Sequence, residues 1–261
     1  MGKFVTPKVY LIGYTGIDIV SLGRYLKDTE NLDFQDDIWQ AGTDGVKEGE
    51  LLCSFFAKLC YKSLTVGKNK NITQTRSILE NLKSIIATGH GSVLEHCSFN
   101  FVIHNCSRIL THEIVRHRVG TAFSQTSGRY VAIDEIDLVL DPILDPFRLE
   151  ISEEIKRQEV FLKDLREKLI KDGDNFDQKK KKTSAIRRLA PNGQANDIGI
   201  TLNIRSLRHI IELRTNRGAE WEIREVVNQM ADLIVDKFPT SLHGGTKELV
   251  DGLAEWKGLS V

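Results

Sequence analysis

SFNFVIHNCSRILTHEIVRHRVGTAFSQTSGRYVAI, residues 98–133, passes directly from a period of two to a period near 3.6. Phe99, Phe101 and Ile103 fall on one side of an extended chain, with Asn100, Val102 and His104 on the other, which predicts a half-buried strand over Ser98–His104. Ser107 is then placed to cap a helix running to about His117. From Ile114 to Ile133 the chain carries three arginines, Arg116, Arg118 and Arg129, and no acid.

Outward from this stretch the same two periodicities recur without alternating regularly. Lys8–Gly13 reads as a strand. Leu51–Tyr61 and Thr75–Thr88 read as helices, the second with Ile78, Leu82, Ile85 and Ile86 at helical spacing. Leu149–Lys171 reads as a long amphipathic helix, and Asp172–Lys182 as a polar loop ending in four lysines, Lys179 to Lys182. Asn203 is placed to cap a helix through Leu213; another begins after Gly218 and runs to about Lys237, where Pro239 ends it. Helices with a few strands, rather than strand–helix alternation, predict an α+β fold: mixed helices and a small antiparallel or mixed sheet. Nothing in the composition marks a boundary, so a single domain over residues 1–261 is expected.

The 261 residues hold 36 basic and 36 acidic side chains, 41% hydrophobic and 28% charged residues, the profile of a packed globular chain. A zero formal charge argues against bulk electrostatic binding of nucleic acid. No apolar run is long enough to span a membrane, and the first residues lack the apolar stretch of a signal peptide. Cys53, Cys60, Cys97 and Cys106 form no C-x-x-C pair and read as reduced, buried thiols of a cytoplasmic protein.

Two familiar motifs fail. Gly89-His90-Gly91-Ser92-Val93-Leu94 lacks the third glycine of the dinucleotide fingerprint and follows a helix, so no Rossmann domain is expected. His112 and His117 stand five apart, roughly 140° around a helix, where a zinc-protease pair stands four apart on one face. Neighbouring Arg116 and Arg118 further disfavour a divalent metal, so no metal is expected. Between the arginines, Ser124 to Gly128 offer hydroxyls, an amide and loop N–H groups. That mixture suits a phosphate-bearing ligand. A solvated basic loop after a helix has the same composition, and the two readings carry equal weight on composition alone.

Arg116-His117-Arg118 followed by Ser124-Gln125-Thr126-Ser127-Gly128-Arg129-Tyr130 resembles the signature of the flavin-dependent thymidylate synthases: R-H-R, a short loop, then a serine near S-x-R-Y. Gly89–His96 resembles that family's G-H-x-[ST]-x-x-E-H segment. Ala185–Pro191 resembles its A-R-x-x-L-P stretch, and Thr201–Leu207 with Leu213-Arg214 and Ala219–Ile223 its C-terminal block. The likeness covers about Leu51–Pro239. Eight residues separate Arg118 from Ser127 where seven are usual; Thr126 replaces a common leucine, and Glu113 stands where some members carry glutamine.

The resemblance implies methylation of dUMP to dTMP, with carbon from methylenetetrahydrofolate, hydride from reduced FAD and electrons from NADPH. It implies a homotetramer with sites at subunit interfaces. It assigns His90, Ser92, Glu95, Arg116, His117, Arg118, Gln125, Asn203, Ile204, Arg205 and His209 to the flavin. It assigns Glu113, Arg116, Gln125, Thr126, Ser127, Gly128, Arg129 and Arg187 to the nucleotide, and it places Arg214 beside the pyrimidine as the catalytic residue. Other classes remain open: a flavin- or nucleotide-binding relic without methyl transfer, or an RNA-binding module using the arginines and the lysine run.

Overall fold

The computed structural model describes residues 2–130 and 135–261. The end of the Ile114–Ile133 stretch therefore lies outside the described residues. In chain order the elements are β1 (Phe4–Val5), β2 (Lys8–Tyr14), α1 (Ile19–Asp28), α2 (Asp33–Thr43), α3 (Glu48–Cys60), α4 (Ile78–Ala87), β3 (Ser98–Ser107), α5 (Arg108–Ile114), β4 (Thr121–Gln125), β5 (Leu138–Val139), α6 (Arg148–Leu169), α7 (Phe176–Ile186), β6 (Ala195–Asn203), α8 (Ile204–Arg214), α9 (Trp221–Lys237), β7 (Thr246–Val250) and β8 (Leu253–Lys257). Short 3-10 turns cover Gly91–His96, Pro142–Phe147 and Arg187–Leu189. The class is α+β. The main sheet has strand order β2-β3-β6-β4; β1 pairs in parallel with β5, and β7 with β8 as an antiparallel hairpin.

Contacts divide the chain into two compact units: Met1–Tyr10, Val102–Arg116 and Phe123–Ile200 in the first, Leu11–Phe101, His117–Ala122 and Thr201–Val261 in the second. The divisions fall inside β2, β3, β4 and β6.

In the second unit, α4 starts where Ser77 and Glu80 cap each other reciprocally, and it buries Ile78, Leu82, Ile85 and Ile86. Phe99 and Phe101 point into the core from β3, and Phe99 meets Phe238 edge-on with centroids 4.8 Å apart. Helix α8 buries Leu207, Ile210 and Ile211; α9 buries Ile223, Val227, Met230 and Ile234. Each such side chain, fully removed from water, contributes about 1.5–3 kcal/mol. The β7–β8 hairpin turns at Asp251-Gly252, both at positive φ, as an Asp-Gly hairpin turn requires.

In the first unit, Ser107 accepts a hydrogen bond from Leu110 N at 3.0 Å and so starts α5 where the strand ends. Ile136, Leu162 of α6 and Ile186 of α7 form a small core, joined by Ile155 and Leu165. The lysine run corrects the expectation of a loop: Lys179–Lys182 lie on α7. Asn175 and Gln178 cap this helix reciprocally at 3.0 and 2.9 Å, and Lys182 is tied to Asp174 at 2.6 Å. An Asn-x-x-Gln cap plus lysines of good helix propensity outweigh the polar composition that suggested a loop. A second correction concerns Thr121–Gln125, which is strand β4 rather than part of a loop.

Candidate functional site

The expected residues fall into two groups, one in each unit. In the first unit, Arg108 and His112 share a face of α5 at i, i+4 spacing. With Gly128, Arg187, Arg188, Ala190, Pro191, Asn192 and Gln194 they line a cavity of about 410 Å³. Its lining contains three arginines and no acid. Burial foremost, with the like charge of Arg187 adding to it, holds the Arg108 guanidinium below its ordinary value. Cations crowded together without a compensating carboxylate are electrostatically costly, and an anion in the cavity relieves that cost.

Arg108 is aimed by a hydrogen bond from its Nη2 to the Thr126 carbonyl, 3.2 Å. Thr126 N in turn donates to Asp197 O at 2.9 Å, fixing the 126–128 segment to β6. Gly128 is buried against Arg187; a Cβ there would stand 3.4 Å from its Cδ. Ser127 Oγ accepts from Arg129 N at 3.4 Å, while the Arg129 side chain is exposed. The Gln125 amide nitrogen is committed inside the unit, donating to Thr111 Oγ1 at 2.9 Å and Asn196 Oδ1 at 2.8 Å. Glu113 lies half-buried on α5, and Arg116 is exposed just beyond its end.

In the second unit, α8 and its N-cap carry four of the flavin candidates, Asn203, Ile204, Arg205 and His209. Asn203 caps it through Ser206 N at 2.8 Å and is itself buried, so its side-chain oxygen serves the helix. Ile204 is buried and its N–H donates to Cys97 O. Arg205 pairs with Glu95 at 2.7 Å, joining α8 to the 3-10 turn that carries Ser92. His90 stands exposed at the head of that turn, Nδ1 3.1 Å from Thr88 Oγ1. Arg118 is exposed, and Gly120 adopts φ +63°, where a Cβ would collide with the Asn203 amide. At the far end of α8, Arg214 Nε donates to His117 Nε2 at 2.8 Å. That imidazole nitrogen is thus unprotonated. The His209 ring lies 6.1 Å from His117, edge-on.

Cys53, Cys97 and Cys106 are buried free thiols, but Cys60 is exposed, which corrects the expectation that all four are buried. Burial pushes the Cys53 thiol up to about 12 and raises that of Cys97 as well. Among the described residues no group of His, Cys, Asp and Glu is arranged to hold a metal ion, and no helix is long and apolar enough to cross a membrane.

Known proteins resemble this chain over most of its length. The family model described as thymidylate synthase complementing protein matches residues 43–240. The chain belongs to the flavin-dependent thymidylate synthase family. It is 31% identical over 204 residues to the flavin-dependent thymidylate synthase of Clostridium tetani, covering 75% of this chain and 82% of that one. With the protein of the same name from Mycolicibacterium gilvum it shares 30% over 231 residues, 83% and 89% of the two chains. The fold is that of a UMP/dUMP methylase, PolB, from Streptomyces cacaoi, solved with 5-Br dUMP: TM-score 0.61 at 15% identity, over 92% of this chain and 95% of that one.

Sequence reading missed Arg108, His112, Arg188 and Asn192 as cavity residues. The i, i+4 spacing of Arg108 and His112 and the doubled arginine before Leu189-Ala190-Pro191 were the available signals.

Proposed function

We propose that the chain is an FAD-dependent methyltransferase that converts dUMP to dTMP, with methylenetetrahydrofolate as carbon donor and NADPH as reductant. Membership of the family supports the enzyme class and the flavin. The observation that carries the nucleotide part is the acid-free cavity of Arg108, Arg187 and Arg188 in the first unit. Arginine forks there match the oxygens of a phosphate monoester. Ser127 and Gly128 lie on the segment that aims Arg108, so they serve the same end.

The second unit fits a flavin dinucleotide. His90, Ser92, Arg118, Arg205 and His209 are exposed donors, and Arg205 pairs with the Glu95 carboxylate. When bound, FAD supplies the hydride. The chain's own residues bind, orient and stabilise. C5 of uracil is a weak nucleophile, and its activation needs either a thiol at C6 or a cation for the charge spread over the ring. The buried thiols with raised titration are poor nucleophiles. Arg214 supplies a fixed cation, and His117 holds its guanidinium in place through Nε. Homotetrameric assembly belongs to the same proposal: in the second unit β2 leaves Ile12 and Tyr14 exposed on alternate positions, apolar side chains suited to a second copy. So does a cytoplasmic setting.

The test is tritium release from C5-labelled dUMP in the presence of FAD, NADPH and methylenetetrahydrofolate. Flavin reduction by NADPH without tritium release would leave only the flavin-binding relic. Absence of both would overturn the proposal.

A further inference from the structure

Helix α8 carries a polar row of which only Arg205 belongs to the flavin candidates. Arg205, Arg208 and Glu212 recur at i, i+3 and i+7 and therefore share one side of the helix. All three hold the same short segment, residues 258–261. The Arg205 Nε donates to Val261 O at 3.3 Å. The Arg208 Nε donates to Leu259 O at 2.7 Å. The two oxygens of Glu212 accept from Gly258 N at 3.0 Å and Ser260 N at 2.6 Å. Leu259 is fully buried between these anchors.

Arg208 is an unusual device. Its side chain is fully buried and meets carbonyls rather than a carboxylate: besides Leu259 O, its Nη1 donates to Ser241 O at 2.8 Å and His243 O at 3.0 Å. Burial lowers its titration to about 10. A cation so placed is costly unless its donors are met, and breaking any one of these contacts is penalised by desolvation. Burial alone would raise the Glu212 carboxyl, but the Ser260 hydroxyl foremost, with the amides of Ser260, Gly258 and Leu259, outweighs it and lowers the group below its ordinary value. The segment is thus clamped on both sides of Leu259.

The clamp reaches the flavin candidates directly. Arg205 is shared between Val261 and Glu95. Gly91, at the start of the 3-10 turn, sits so close that a Cβ would stand 3.0 Å from both Val261 O and Arg205 Nε. His209 follows Arg208 on the exposed side of α8. The segment lies beyond residue 240, where the match to the family model ends.

We propose that residues 258–261 form a strap that positions the cofactor site of this chain: by gripping Arg208 and Glu212 it holds α8 and presents Arg205 to Glu95 and the 3-10 turn. Arg208 and Glu212 are positioning residues. The inference rests on the flavin reading given above.

The test titrates FAD into apo-protein and follows flavin fluorescence alongside thermal midpoints. Ser260→Pro removes both the N–H and the hydroxyl that Glu212 accepts from, and Glu212→Gln keeps the side-chain volume while removing the charge. Leu26→Ala, at a fully buried position of α1, serves as a control for lost stability alone. Both strap variants should raise the FAD Kd by about tenfold or more, the weight of one charge-assisted hydrogen bond, while the control stays within about twofold of wild type. Strap variants that bind FAD as tightly as a wild type that does bind it would overturn the strap alone. So would a control that weakens FAD as much as they do. A wild type that takes up no FAD overturns the flavin reading and the strap with it.

Discussion

Arg214→Ala is the most decisive perturbation of the proposed chemistry. Arg214 is the last residue of α8, so an ordinary role exists for it: a cation at a helix C-terminus, worth about 0.3–1 kcal/mol of stability. The structure gives it more to do. Its Nε is held by His117 Nε2 at 2.8 Å, and both side chains are half-buried, so the guanidinium is oriented before any ligand arrives. A preorganised donor facing charge that develops only in the transition state contributes about 10²–10³ in rate. Arg214→Ala should therefore lower kcat by at least about a hundredfold. FAD should stay bound, as checked by the flavin absorbance of the purified variant. Arg214→Lys should restore little, because an ammonium cannot copy a planar fork. His117→Ala should cost about tenfold, the weight of one hydrogen bond to a charged group, and should cost almost nothing more in the Arg214→Ala background. The assay is tritium release at saturating dUMP. An Arg214→Ala protein with a lowered melting temperature and normal turnover would show that the helix-end role is the whole of it. Fully additive losses in the double variant would refute the orienting role of His117.

Arg187→Ala should raise the dUMP KM by roughly 10–150-fold, the equivalent of about 1.5–3 kcal/mol for a charge-assisted bond, and lower kcat far less; an unchanged KM would remove the cavity from the nucleotide site. Native protein should titrate one thiol with an aromatic disulfide reagent, and Cys60→Ser none, because Cys53, Cys97 and Cys106 are buried; each Cys→Ser variant should keep turnover within about tenfold, and a folded but inactive one would revive a covalent mechanism. Glu50 offers a pH test: burial raises its carboxyl above the ordinary 4.5 despite hydrogen bonds from Lys47 N and Ser241. A raised carboxyl favours the folded state most below its unfolded value, and that advantage is lost as pH rises through the folded value. Glu50→Gln should therefore gain stability relative to wild type as pH rises above the ordinary 4.5, read from urea midpoints across a pH series. A constant difference across that series would show that Glu50 does not titrate differently on folding.

Much of the fold was legible where one short-range rule sufficed. The alternation of Phe99, Phe101 and Ile103 and the Ser107 cap placed β3 and α5 because pleat and cap are local. The cap of α8 at Asn203 is local in the same way, whereas α4 begins after a Ser77 cap, three residues past the Thr75 start that the apolar spacing suggests. Helix α7 was misread because four adjacent lysines hide an Asn-x-x-Gln cap, whose evidence is two hydrogen bonds rather than an apolar stripe. Strand β6 alternates Ile198, Ile200 and Leu202 with Asp197, Gly199 and Thr201, the same period of two, and its place between β3 and β4 makes it a core strand. The Asp251-Gly252 hairpin turn was available and unused.

For function, the sequence by itself determined the family, because the arginines, the Gly-His-Gly-Ser turn and the Ser-Gly-Arg-Tyr segment stand in fixed order along one chain. It also excluded a glycine-rich dinucleotide loop, because the segment from Gly89 lacks the third glycine and follows a helix. Only the tertiary structure decided which arginines share a cavity. Arg108 and Arg187 are far apart in sequence, and what joins them is the packing of the 126–128 segment on β6 and the approach of Arg187 to Gly128. The same holds for Arg214 with His117, and for Arg208 with residues 258–261. Local sequence specifies caps and faces, since those depend on neighbours three or four residues away. A charge acquires its partner only when burial brings distant segments together and makes an unmet donor costly.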